Sequence, residues 1–421
     1  MVLEGFRDML DFIRKGTIRQ WLIIAVLNLL IVAGFGFLMR LKMIFPLAWA
    51  NQKYIMHAHS HFAFAGWVSH ALMVFMLMAI FRLRANDPLP LRYPYIIAAN
   101  LLASYGMLIC FTLQGYGLYA IIFSTLTLLI SFVFAGFVWR DIARSTIPLV
   151  VKYWFRASLF FSVLSSLGTF SLVRLMVTHQ LDPLKQLASV YFYLHFQYNG
   201  WFLFGCIGLF LYWLYDSSGV VACSKRLFWL FFFCVIPAYF LSVLWWKAFP
   251  DWLYVIVVIT VLLQLGMWIW FIRYAFLSLK QGNALQMINP TTKIIWAGVM
   301  VAVFLKILLQ AASVIPSLSQ LVYGYRPIVI AYLHLALLVI ISLFILGFAF
   351  QTQTLRLSTI IHRWMMGLAI GVVLNEFVLM IQGIGGLMRT YIPLTNHFLV
   401  LASGIIVVCV FGILWKQRRL Q

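Results

Sequence analysis

The sequence predicts an all-α integral membrane protein: twelve transmembrane helices in three pseudo-repeated four-helix arcs. Three observations carry that prediction. The 421-residue chain is 65% hydrophobic and 9% charged, against about 25% charged in globular proteins. Apolar runs of about 20 residues, long enough to cross a bilayer, recur along its whole length. Two distant stretches also spell nearly the same word, His61-Phe62-Ala63-Phe64-Ala65-Gly66-Trp67 and His195-Phe196-Gln197-Tyr198-Asn199-Gly200-Trp201.

Residues 1–18 carry Glu4, Arg7, Asp8, Asp11, Arg14 and Lys15. They are too polar for the apolar stretch of a cleavable signal peptide and read as a cytoplasmic surface helix. Twelve spans follow at roughly 19–40, 55–81, 93–113, 116–139, 153–177, 187–215, 227–246, 252–279, 292–314, 327–350, 358–383 and 394–415. Their connections are short, so residues 19–421 read as one transmembrane domain without a sizeable soluble part. Prolines and charges mark two joins, Arg140 to Pro148 and Lys280 to Pro290, giving pseudo-repeats at about 19–140, 150–280 and 290–416.

The net charge of +21 raises the question of nucleic acid, but the placement of the charges points elsewhere. With loops assigned to alternate sides, 21 of the 30 Lys and Arg fall on one side, 8 on the other, and Lys306 lies within a span. The positive-inside rule then places both termini in the cytoplasm, as in a bacterial-type inner membrane. The basic face meets anionic lipid headgroups, and no nucleic-acid partner is expected. Cys110, Cys206, Cys223, Cys234 and Cys409 form no C-x-x-C pair. They read as small apolar core residues, not as a disulfide frame or a c-type haem attachment.

The repeated histidines lie 134 and 139 residues apart, because Tyr332-Leu333-His334-Leu335 echoes Tyr193-Leu194-His195-Phe196. They fall on spans 2, 6 and 10, one per four-span block. Even-numbered spans run from outside to inside when the N-terminus is cytoplasmic. At about 1.5 Å per residue, His57, His59, His61, His195, His334 and His397 all sit in the outer third of the bilayer. Histidine within a membrane is rare and defaults to a functional hypothesis. His57 and His61, four apart, share one face of span 2, and His59 and His70 share another.

Neutral imidazole suits iron, copper and zinc. Haem iron takes axial histidine, and a planar macrocycle between helices needs small residues beside it and aromatics around it. Gly66, Gly200, Phe64, Tyr198, Trp67 and Trp201 answer that need; a small-residue helix contact would use the same glycines. His61, His195 and His334 are the leading ligand candidates, followed by His59 and His57. His70 and His397 fit a ligand or a hydrogen-bonded structural role equally. His179 and His362, near span ends, read as exposed.

On these residues the chain resembles the haem–copper oxidase subunit I superfamily, and is similar in plan to the twelve-span haem–copper proteins of the nitric-oxide response. The resemblance covers the whole chain at the level of architecture. It implies a b-type haem, with copper as a second cofactor, and electrons from a redox donor protein or a quinol. Carried over residue by residue, His61 (or His59) and His334 would be the axial pair of a low-spin haem. Gly66, Trp67 and Tyr332 would stand beside the cofactor. His195 would be the copper ligand of span 6, and His57 and His397 could complete a rebuilt metal site. The sequence departs from the family's pattern in three places. Span 7 holds no histidine, Tyr332 stands where the high-spin haem ligand would be, and Phe196-Gln197 follows His195 in place of Pro-Glu.

Glu376 in span 11 and Lys306 in span 9 are charged side chains deep in the membrane. They read either as an ion pair between helices or as proton-relay groups. Two function classes stay open beside haem-linked electron transfer or small-diatomic (O₂ or NO) chemistry. One is a histidine-lined transporter or channel for metal or a small solute. The other is a non-catalytic haem or copper sensor or assembly factor.

Overall fold

The computed structural model describes residues 2–90, 92–179, 182–220, 223–246, 250–322, 326–390 and 392–419. Lys247, one of the outer-side charges of the sequence reading, lies outside them. Among the described residues the chain is helical with no strand; a single isolated bridge joins Thr17 and Pro88. Among the described residues eleven helices are long and apolar enough to cross a membrane. Their lateral faces expose apolar side chains, among them Leu102, Leu113, Leu262 and Val301. That is the surface a lipid bilayer covers, and water would disfavour it.

The chain begins with the amphipathic helix α1 (Val2–Lys15), whose Phe12 ring lies 5.2 Å from that of Trp21. Thr17 and Gln20 form a capping box that starts α2 (Ile18–Leu41). Asn51 accepts from Lys53 N and Tyr54 N and starts α3 (Gln52–Phe62). A π-helical turn (Ala63–Ser69) joins α3 to α4 (His70–Phe81). Next come α5 (Tyr93–Gln114) and α6 (Leu118–Arg144). Pro148 precedes α7 (Leu149–Val177), and Asp182 with Pro183 opens α8 (Pro183–His195).

A second π turn (Phe196–Phe202) leads into α9 (Leu203–Ser218). Ser224 caps α10 (Lys225–Ala238), whose internal Pro237 passes into a 3₁₀ turn (Tyr239–Val243). Then follow α11 (Asp251–Gln281), α12 (Ala284–Met287), α13 (Pro290–Ala312), α14 (Pro316–Val322) and α15 (Arg326–His334). A third π turn (Leu335–Ser342) enters α16 (Leu343–Gln351). The chain closes with α17 (Thr359–Leu387) and α18 (Thr395–Arg419).

Eleven of the twelve expected spans are thus present as long apolar helices. The remaining one, near 187–215, falls on the unbroken helical run α8, π turn and α9. Its centre carries His195, Gln197 and Asn199, which dilute its hydropathy. Both expected joins are present, at Pro148 and Pro290.

By packing, the chain divides into two compact units. The first is Met1–Asp141, Ile345–Gln382 and Tyr391–Gln421; the second is Ile142–Phe344 and Gly383–Thr390. In the first, α2 packs along α18 and α3, and α3 packs along α5, over buried Trp21, Trp67, Phe75 and Phe111. In the second, α7 packs against α8 and α9, and α13 against the third π turn, over buried Trp154, Phe161, Phe196 and Trp201.

Candidate functional site

Each repeated histidine stands one or two residues before a π turn: His61 before Ala63, His195 before Phe196, His334 before Leu335. A π turn inserts a residue and misaligns the i→i−4 ladder, so carbonyls lose their ordinary donors; such turns concentrate at functional sites. In the first unit two buried amides replace those donors. Asn28 Nδ2 donates to Gly66 O at 2.6 Å, and Asn100 Nδ2 donates to Ala65 O at 3.1 Å. Tyr105 donates to Asn28 Oδ1 at 2.5 Å, completing the network. Asn28, Asn100 and Tyr105 escape a sequence reading centred on histidine. Their signal is an amide set within an otherwise apolar span.

The four histidines of α3 and α4 divide into two faces, as their spacing predicts. His59 and His70 both turn to α2. His59 Nδ1 donates to Val32 O at 3.0 Å, and His70 Nε2 donates to Trp21 O at 3.0 Å. A carbonyl only accepts, so these bonds fix each ring's tautomer. His59 keeps its lone pair on Nε2, which makes no hydrogen bond among the described residues. Gly36 leaves room beside this ring, since a Cβ there would stand 3.4 Å from His59 Cε1. Residues 30–42, the end of α2 and its C-terminal cap, are half-buried. His70 is fully buried, with Nδ1 unpartnered among the described residues.

His57 and His61 turn instead toward α5 and the turn after it. The His61 ring stacks on Phe111 (4.4 Å, 14°), and its Nε2 meets Tyr116 Oη at 3.1 Å. His57 lies edge-on to Tyr116 at 4.5 Å. Partial burial raises the Tyr116 phenol above its ordinary pKa, so the hydroxyl stays protonated and donates to His61.

In the second unit His195 is 1% exposed and held on both sides. Nε2 donates to Val235 O at 2.8 Å. This carbonyl lies where Pro237 and the 3₁₀ turn disturb α10, and the Tyr239 N–H goes to Ile236 and Pro237 instead. Nδ1 then accepts from Asn199 Nδ2 at 3.1 Å. Both ring nitrogens of His195 are thus engaged within the protein. Gln197 Nε2 donates to Ser165 Oγ at 2.8 Å. His334 Nδ1 donates to Ile330 O at 2.8 Å, which leaves Nε2 as the basic nitrogen of the neutral ring. Tyr332 hydrogen-bonds Tyr198, with ring centroids 6.2 Å apart.

The glycines of the repeat are occupied by protein. A Cβ on Gly66 would come within 2.6 Å of the Phe62 ring, and one on Gly200 within 2.4 Å of Phe161 Cβ. Trp67 is buried. The space expected for a macrocycle at these glycines is filled by aromatic packing. His397 is exposed on α18. Among the described residues no three His, Cys, Asp or Glu side chains converge as a metal group. His59 and His334 each donate Nδ1–H to a backbone carbonyl, which leaves Nε2 as the basic nitrogen of each ring.

Neither deep charge forms an ion pair among the described residues. Lys306 is 6% exposed; its Nζ donates to Gln310 Oε1 at 3.3 Å and lies 5.9 Å from the Tyr198 ring centre. A cavity of about 10 Å³ adjoins it, room for one water. Glu376 Oε1 accepts from Asn375 at 3.0 Å and interacts electrostatically with Arg40.

No protein-family model and no curated protein matches the chain.

Proposed function

We propose that this chain is a haem-binding membrane redox protein, acting in electron transfer or small-diatomic chemistry. The observation that carries the reading is the His59–Val32 hydrogen bond. Imidazoles that ligate a metal almost always donate their other ring N–H to a carbonyl or carboxylate, which fixes ring orientation and raises basicity. His59 meets that condition in the first unit, and His334 has the matching tautomer in the second. His59 is favoured over His61, whose ring donates to no carbonyl among the described residues. A bound haem supplies one-electron chemistry at its iron. The chain's own part is to hold the imidazoles, and Lys306 and Glu376 are the groups placed to hold or move a proton.

The reading includes a twelfth span over 183–218 and three pseudo-repeats. The recurrence of histidine followed by a π turn supports the repeats. In this reading both termini lie in the cytoplasm of a bacterial-type inner membrane, and electrons come from a redox donor protein or a quinol. A copper ligand at His195 is left out of the reading, because both of its ring nitrogens are hydrogen-bonded within the protein.

The test is an oxidised and dithionite-reduced spectrum of detergent-purified protein after haem-replete expression, with haem quantified on the same sample. Stoichiometric haem with sharp reduced α and β bands is expected. A colourless protein would discard the reading and bring the transporter hypothesis forward.

A further inference from the structure

Sorting the histidines onto two faces leaves one face outside the haem reading. On α3, His57 and His61 stand four residues apart, so their side chains share a face with Cβ atoms about 5–6 Å apart. This is the spacing by which a single helix offers two imidazoles to one zinc ion. The structure brings the two rings to the same neighbours. His57 lies 4.5 Å from Tyr116 and 6.1 Å from Phe111, and His61 lies 6.0 Å and 4.4 Å from the same pair.

Tyr116 covers the pair from the turn between α5 and α6. That turn is shaped by Gly115 (φ 63°), where a Cβ would come within 2.4 Å of the Tyr54 ring. Tyr116 is 47% exposed, so the cover is thin. Its bond to His61 is one neutral hydrogen bond of 3.1 Å, readily exchanged for a stronger partner at Nε2.

We propose that His57 and His61, covered by Tyr116, form a binding site for one divalent transition-metal ion of the copper or zinc type. Two imidazoles completed by solvent make a nitrogen-rich set. Such a set suits Cu²⁺ and Zn²⁺; Ca²⁺ and Mg²⁺ demand carboxylate and carbonyl oxygen, and the site has no carboxylate among the described residues. When the ion enters, the Tyr116 hydroxyl leaves Nε2 of His61 and swings toward solvent. The site is independent of haem, since His59 points to α2 from the opposite face.

The experiment adds one equivalent of Cu²⁺ to the full-length protein in detergent and reads electron paramagnetic resonance. One bound Cu²⁺ with a two-nitrogen pattern is expected. His57→Gln and His61→Gln should each weaken binding by about tenfold or more, whereas His397→Ala keeps it. Glutamine preserves hydrogen bonding, and a thermal melt of each variant verifies its fold. Should a glutamine variant fail to fold, protection of His57 and His61 from diethyl pyrocarbonate by Zn²⁺ in the parent decides instead. The proposal falls if the parent binds no Cu²⁺, if the signal survives in the double glutamine variant, or if it is lost only with His397. A colourless protein that still binds Cu²⁺ in this pattern would sink the haem reading and leave this site standing.

Discussion

His59 Nδ1 donates to the backbone carbonyl of Val32 at 3.0 Å, and eleven residues later in the chain His70 Nε2 donates at 3.0 Å to that of Trp21, eleven residues earlier on α2. The two helices run antiparallel, so both contacts keep one register. The bonds do different chemistry. At His59 the lone pair is left on Nε2, beside half-buried residues and Gly36. At His70 it is left on Nδ1 in a fully buried core.

The amides that close the first π turn are predicted to be structural. Asn28→Leu removes the donor to Gly66 O and the acceptor of Tyr105. Each stranded group costs about 1–3 kcal/mol in a water-soluble protein, and membrane hydrogen bonds run nearer 1 kcal/mol. A loss of about 1–2 kcal/mol in detergent thermal unfolding is expected. An unchanged melt would show that the network contributes nothing.

Gly200→Ala and Gly136→Ala should separate sharply. The first puts a Cβ 2.4 Å from Phe161 Cβ, which cannot swing away as the far end of a side chain could, while the second meets nothing within 4 Å. Overpacking of about 1–3 kcal/mol or more is expected at Gly200. At Gly136 the better helix former should stabilise slightly. Expression level and melting temperature in parallel check the pair.

His195→Ala should lower stability without changing metal content. It strands Val235 O and Asn199 and opens a hole, a loss of about 2–3 kcal/mol. Metal analysis after copper-replete expression should find parent and variant alike. Copper lost with His195 would mean that its hydrogen bonds open to admit a metal.

Lys306→Met is expected to fold within about 1 kcal/mol of the parent or better, because it replaces a buried amine having one weak bond with an apolar side chain of similar length. Glu376→Gln should also fold. If either group moves protons, redox-linked proton uptake in vesicles slows in that variant. Uptake equal to the parent in both would remove the two residues from that role.

Much of this architecture was legible in the sequence. Hydropathy located the spans and the Pro148 and Pro290 joins, because apolar length and helix-breaking prolines are local properties. The division of His57/His61 from His59/His70 followed from helical spacing alone. Other features were hidden for physical reasons. The polar centre of 183–218 lowers its hydropathy although the helix is unbroken. The π turns depend on donors from other helices, such as Asn28 and Asn100. Repetition singled out His61, yet the partner that distinguishes His59 is the carbonyl of Val32, which no side-chain pattern announces. The engagement of His195 likewise rests on Val235 O, forty residues downstream and beside Pro237.

The most direct test compares reduced spectra of His59→Ala and His61→Ala after haem-replete expression, each normalised to folded protein. The account predicts that His59→Ala loses the low-spin α band while His61→Ala retains it at parental intensity. Loss in His61→Ala with retention in His59→Ala would contradict it, and would make the repeated histidine the ligand.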